Sequence, residues 1–202
     1  IFTTKRTIDI DGDITVNTAK NQGIYVADAA AKLDANNITV NNVADGHGIY
    51  INNATGTVNT TGTITTTNMP KGRGVYALGA VTVGKDVVVN NTGNIGIDLD
   101  GDSSQGRKGS LIVAGNVTVS NVSGTEKTGI NINGANAKME AGNVTVSKIS
   151  GHGIVISNKN GKLDASGAIN VSETGLRGIS NTQGGEIAAP SISLNKAGTI
   201  GI

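Results

Sequence analysis

Short alternations of apolar and polar residues recur along the chain at a nearly fixed spacing. In the most regular of them, β-branched residues alternate with Thr, Ser or Asn, as in Ile38-Thr39-Val40-Asn41. Its copies begin at residues 14, 38, 64, 87, 117, 144, 169 and 192, which makes one repeat roughly 25 residues long. A period of two residues predicts a strand with one buried face, and a repeat of this length predicts a solenoid.

Each repeat contains two further strand-like segments in a fixed order. In one, an apolar residue follows Gly and is predicted to point inward: Ile24, Ile49, Val75, Ile97, Ile130, Ile154 and Ile179. The other is centred on Ile8, Leu33, Val58, Val81, Leu111, Met139, Leu163 and Ile187. The equivalent strand lies a whole repeat away, so it must pair in parallel. We therefore predict an all-β fold, a right-handed parallel β-helix of about eight coils with three short strands per coil.

Stacking of coils would also align like polar residues on the outside of the rod. One predicted outward column contains Thr15, Thr39, Thr65, Thr118 and Thr145. A hydrogen-bonded ladder is predicted at one corner, formed by Asn17, Asn41, Asn90, Ser120, Ser147, Ser172 and Asn195.

The amino-acid composition argues against several classes of function. Only 2% of residues are aromatic, and 30 are Gly, so small β-branched residues must fill a narrow interior. A net charge of +1 gives no field to attract nucleic acid, and a nucleic-acid partner is not expected. The absence of Cys excludes disulfides and thiolate chemistry. Because the chain starts and stops inside repeats, we interpret residues 1–202 as one segment of a longer protein, without its caps or signal peptide.

The repeats, with Gly-Ile/Val-Tyr followed by Asn/Thr-rich strands and without Cys or Trp, resemble the passenger domains of bacterial autotransporters, particularly fusobacterial adhesins. The resemblance covers the whole chain. It implies a β-helix on the bacterial cell surface, anchored in the outer membrane only through a C-terminal β-barrel absent from these residues. It also implies attachment to a protein or glycan of host cells or other bacteria. No cofactor is predicted. A passive spacer and a polysaccharide-active β-helix enzyme are the alternatives.

The enzyme alternative depends on two histidines. His47 and His152 each lie in Gly-His-Gly-Ile, and Gly-His-Gly is a motif of the polygalacturonases, which are β-helices. The carboxylate motifs that accompany it in that family are missing, and hydrolysis of a glycosidic bond needs paired carboxylates. We therefore expect both histidines to be exposed corner residues and the chain to have no catalytic residues.

Two Asp-rich stretches are candidates for calcium binding. They contain Asp9, Asp11 and Asp13, and Asp98, Asp100 and Asp102. Neither has the spacing of a calcium loop, so turn chemistry is the preferred interpretation and no metal site is predicted. The sequence leaves calcium binding by the second stretch open.

The predicted ligand-binding face combines an aromatic column with two insertions. All three Tyr occupy the same outward position in consecutive coils, and longer connections follow Ile97 and Val119. Irregular loops on a rigid scaffold often carry binding residues. The predicted ligand-binding residues are Tyr25, Tyr50, Tyr76, Asp98, Arg107, Lys108, Glu126 and Lys127.

Overall fold

The computed structural model describes residues 1–199, so residues 200–202 of the predicted segment lie outside the described range. The chain forms three parallel sheets of eight strands each. Every strand pairs with the equivalent strand of an adjacent coil, and consecutive strands in the chain belong to different sheets. The predicted all-β solenoid of about eight coils with three strands per coil is confirmed.

The three sheets are named by their order within a coil. The first sheet contains Phe2–Thr3, Gln22–Val26, His47–Ile51, Val75–Ala77, Ile95–Gly101, Thr128–Gly134, His152–Ile156 and Ile179–Asn181. The second contains Thr7–Asp9, Lys32–Ala35, Thr57–Thr60, Ala80–Val83, Ser110–Val113, Lys138–Ala141, Lys162–Ala165 and Glu186–Ala188. The third contains Ile14–Val16, Ile38–Asn41, Ile64–Met69, Val87–Thr92, Val117–Val122, Val144–Ile149, Ile169–Thr174 and Ile192–Ala197.

The core is a set of apolar columns that run along the rod. All seven apolar residues predicted to point inward from the first sheet are buried, from Ile24 to Ile179. Alternation within each strand places the next side chain outside, as the period of two requires. The columns weaken in the terminal coils, where Ile8 and Ile187 are only partly buried and Ile192 is exposed, because a coil at an end has a neighbour on one side only.

The corner between the second and third sheets carries a ladder of side-chain hydrogen bonds. The side-chain oxygen of Asn116 accepts from the backbone N–H of Asn143, and Asp86 accepts from the backbone N–H of Asn116. Asp13 and Asn37 make the same contact in earlier coils. These bonds use backbone groups at a bend that no sheet satisfies.

The predicted Asn and Ser ladder is present at one contact, where the Ser120 hydroxyl donates to Asn90, and its other side-chain bonds involve the next residue along the chain. At seven of the eight third-sheet strands, all but Ile14–Val16, the chain bends within or directly after the strand at a residue with positive φ, and where that residue is Asn its amide donates to the preceding coil. Asn68 donates to Asn42, and Asn91 donates to Asn68. Asn tolerates the left-handed conformation better than most residues do. The displacement arises because the bend, and not the strand, brings the side chains of successive coils together.

Within residues 1–199, no helix is long and apolar enough to cross a membrane.

Candidate functional site

The three tyrosines form one continuous stack on the outer face of the first sheet. Tyr25 pairs in register with Tyr50, and Tyr50 with Tyr76. Their ring centroids lie 5.2 and 4.9 Å apart, with interplanar angles of 20° and 6°. Phe2 extends the stack by one coil, with its ring centroid 5.4 Å from that of Tyr25. These four residues are the aromatic ladder.

The ladder presents ring edges and hydroxyl groups to solvent, because the ring faces lie against one another. Each tyrosine is half-buried, which corrects the expectation of an exposed column. Asn52 joins two of the hydroxyls: Tyr50 donates to its Oδ1 at 2.6 Å, and its Nδ2 donates to the Tyr25 oxygen at 2.9 Å. Stacking and this bridge hold the tyrosines in one conformation.

His47 packs beside the ladder, and the expectation that both histidines are exposed was wrong. The ring of His47 makes edge contacts with Tyr50 and Tyr76, at centroid distances of 5.2 and 5.5 Å. Its Nδ1 accepts a hydrogen bond from the backbone N–H of Arg73. Burial lowers the pKa of His47 to about 4, and the Arg73 charge contributes to this effect. His152 is also partly buried, and it has no aromatic neighbour of this kind within the described chain.

An ion triad closes the ladder at Tyr76. The Arg73 guanidinium lies over the Tyr76 ring, with Cζ 4.5 Å from the centroid. Its Nη2 donates to Glu126 at 3.2 Å, and its Nε lies 2.8 Å from Oδ2 of Asp98. The Nε–H is not aligned for a hydrogen bond, so the contact with Asp98 is mainly ionic. Asn131 donates to the other oxygen of that carboxylate.

Asp98 belongs to the strand Ile95–Gly101 and is buried, so it lies in the first sheet and not in the insertion that follows it. It pairs in register with Tyr76 and therefore continues the column of the ladder. Burial raises the pKa of Asp98 to about 6, against the opposing effects of Arg73 and Asn131. Burial also raises the pKa of Tyr76 to about 12, with Asp100 and Asp98 adding to the effect. The carboxylate therefore acts as a structural partner of Arg73 beneath the surface.

The first insertion, residues 102–109, folds back along the rod. It begins with a single turn of 3₁₀ helix, Ser103–Gln105. The backbone N–H groups of Lys108 and Gly109 donate to the carbonyl of Leu78 in the preceding coil. Arg107 lies 3.7 Å from Asp100, whereas the Lys108 side chain is exposed. The insertion is thus docked, and Lys108 is available to a partner.

The second insertion, residues 123–127, is exposed but tethered at several points. Glu126 reaches Arg73, and Lys127, which has a φ of 51°, accepts from the backbone N–H of His152 through its carbonyl. All eight predicted ligand-binding residues therefore lie on or beside one face of the rod. Only Asp98 among them is buried away from solvent.

The three carboxylates of the second Asp-rich stretch have different partners and do not form a common metal site. Asp98 faces Arg73, Asp100 faces Arg107, and Asp102 accepts from the backbone and hydroxyl of Ser104. In the first stretch, Asp13 accepts from the amides of the corner ladder. Across the described residues, no group of three or more His, Asp or Glu side chains is arranged to hold a metal ion.

Sequence reasoning missed three residues of this site. Phe2 lies 23 residues before Tyr25, a normal repeat spacing, so its place in the ladder could have been found. Neither Arg73, which lies in the coil after His47, nor Asn52 was predicted as part of the site. Comparison of the chain with family models, with curated proteins and with solved structures found no match, so the functional interpretation depends on its own residues.

Proposed function

We propose that this chain is a non-enzymatic, adhesive segment of a bacterial surface protein, and that the aromatic ladder with its two insertions is the binding face. The observation that carries the proposal is the alignment of Phe2, Tyr25, Tyr50 and Tyr76 on one face of a rigid rod. Tyrosines held in one conformation lose little entropy when they bind. The proposed partner is a protein or glycan on the surface of a host cell or another bacterium.

Space beside the ladder supports a binding role. A groove of about 440 Å³ lies beside the ladder and is lined by Phe2, Tyr25 and Tyr50 together with Asn21 and Gln22. Apolar ring edges together with amide and hydroxyl groups are the mixture that binding surfaces use. The autotransporter-like repeats support placing this surface outside the cell, with anchoring through a barrel encoded elsewhere in the protein.

The passive spacer is the strongest competing function. The ring faces are occupied by one another, and two hydroxyls are bridged by Asn52. Both features stabilise a rod whether or not anything binds to it. An adhesive face needs the tyrosine ring edges for attachment to target cells, whereas a passive spacer does not.

The experiment is to replace Tyr25, Tyr50 and Tyr76 by Ser in the full-length protein and to measure its attachment to target cells. Attachment should weaken at least tenfold, the size of effect that follows the loss of about 1–2 kcal/mol at an aromatic contact. Replacement of Thr39, Thr65 and Thr118 by Ser, on the third sheet, is the matched control. Circular dichroism must show that both variants keep the β-helix. Undiminished attachment of the Tyr variant would support the spacer.

One observation favours the enzyme alternative. A buried carboxylate with a raised pKa beside an arginine, such as Asp98, is often functional. Against it, both oxygens of Asp98 are occupied by Arg73 and Asn131, and the side chain is 7% exposed. Cleavage of polygalacturonate that is lost on Asp98→Asn substitution would establish the enzyme, and no turnover is expected.

A further inference from the structure

A long groove follows the corner between the third and first sheets. It has a volume of about 580 Å³ and extends across the last five coils. Val122 and Ile149 form part of its floor, and Ser123 and Ser150 line one side. The groove lies away from the aromatic ladder, so binding in the groove is independent of the proposed adhesive face.

One wall of the groove is the column of residues at the left-handed bend. In five successive coils this position has a φ between 53° and 57°, and it is occupied by Asn91, Asn121, Lys148, Glu173 and Lys196. Asn adopts this conformation at little cost, whereas Lys and Glu are strained in it. Strain that persists in a repeating structure is a reason to look for a function.

The three strained residues carry alternating charges. Each follows a third-sheet residue that is paired in register, since Ser147 pairs with Ser172 and Ser172 with Asn195. Their Cα atoms are therefore separated by about one coil, roughly 4.8 Å. All three side chains are exposed. Within the described residues none of them makes an ion pair, so their charges are free to meet a ligand.

We propose that this groove binds a linear anionic glycan that carries one carboxylate on every second sugar. A pyranose in an extended chain advances by about the spacing of one coil. Successive carboxylates would therefore meet Lys148 and Lys196, two coils apart. The uncharged sugar between them would donate hydroxyl or amide hydrogens to Glu173. A polymer charged on every sugar would place a carboxylate against Glu173 and be disfavoured.

The test is to measure binding of the 202-residue chain to hyaluronan oligosaccharides, which have the required alternation. Chitin oligosaccharides, with no charge, and polygalacturonate, with a charge on every sugar, are the comparison ligands. We expect hyaluronan to bind at least tenfold more tightly than either and to be released by salt. Equal binding of chitin oligosaccharides, or no binding of hyaluronan, would overturn the proposal.

The chain itself uses Asn at this bend in other coils. Replacing Lys by Asn should therefore weaken glycan binding and raise the stability of the fold. Lys148→Asn and Lys196→Asn should each weaken hyaluronan binding about tenfold. Lys148→Asn should also raise the melting temperature by about 2–4 °C, because the strain is relieved. The matched controls are Lys138→Asn and Lys162→Asn, which remove the same charge from the second sheet. Equal loss of binding in the controls would mean that the groove is not the site.

Discussion

Two titratable residues beside the aromatic ladder respond to pH in opposite directions. The pKa of Asp98 is raised by burial from 3.8 to about 6, so the folded chain holds this proton more tightly than the unfolded chain does. Stability therefore falls as the pH rises between these values. The pKa of His47 is lowered by burial from 6.5 to about 4, so here stability rises over nearly the same range. In the native chain the two contributions largely cancel.

When either residue is substituted, the pH dependence of the free energy of unfolding should show the contribution of the other. In Asp98→Asn, the free energy of unfolding should increase from pH 4 to pH 6.5, on the order of 2 kcal/mol. In His47→Gln it should decrease over that range. Gln22 occupies the equivalent position in the preceding coil, which makes Gln a tolerated replacement. The expected gain in Asp98→Asn is an upper value, because His47 is less deeply buried and solvent screens it.

Denaturant unfolding of the native chain and both variants at several pH values measures these slopes. Comparison of slopes removes the shared contribution of the other carboxylates and of His152. If both variants followed the pH dependence of the native chain, the assigned burial effects would be wrong.

At the scale of an element, the stabilising unit is a column that crosses several coils. The corner ladder illustrates this, because the side-chain oxygen of Asn116 accepts two hydrogen bonds from Asn143 of the following coil, while Asn116 donates two to Asp86 of the preceding coil. Each member therefore satisfies a backbone group in a neighbouring coil. The ladder is interrupted where Thr63 and Ala168 occupy the corner position, so every run of it is short.

Replacing one residue of the corner ladder should lower the free energy of unfolding more than replacing a surface side chain outside the ladder. Asn116→Ala removes the acceptor of the backbone N–H of Asn143 at an exposed corner and is expected to destabilise the chain by about 1 kcal/mol, the net contribution of a typical hydrogen bond. Thr63→Ala is the control, since its own backbone donates to Asn37 and that bond remains. Thermal and denaturant unfolding compare the two. Equal stability of the two variants would show that the ladder contributes little.

The sequence repeat predicted which residues align in columns. It could not predict features that depend on the local path of the chain, such as where a strand ends. Tyr25, Tyr50 and Tyr76 were aligned from spacing alone, because a parallel register copies position from coil to coil. Spacing did not predict that Asp98 is buried or where its strand ends, because the next inward residue is far along the chain. The strand in fact continues to Gly101, where pairing with residues 131–134 supports it.

Arg73 was missed for a related reason. It occupies a corner, where the direction of a side chain depends on the bend and not on a period of two. Its contact with Glu126 spans 53 residues and depends on how the second insertion folds. No repeat pattern contains that information.

At the scale of the whole molecule, strands pair only with their counterparts in adjacent coils. The hydrogen bonds that join the coils therefore lie along the axis of the rod, and within residues 1–199 no strand pairing links coils that are further apart. The chain is a series of nearly equivalent units, each with its own interface energy.

This series arrangement has a mechanical consequence. Tension applied to the ends of the rod loads the bonds between coils one interface at a time, so a terminal coil should detach before the interior yields. Each detached coil of about 25 residues would release about 80 Å of chain. The coil from Val87 to Val117, which includes the first insertion and spans 30 residues, would release about 100 Å. Single-molecule stretching should show a staircase of such lengths, and one abrupt release of the whole chain would contradict it. A rod that lengthens in steps can stay attached while its load is absorbed.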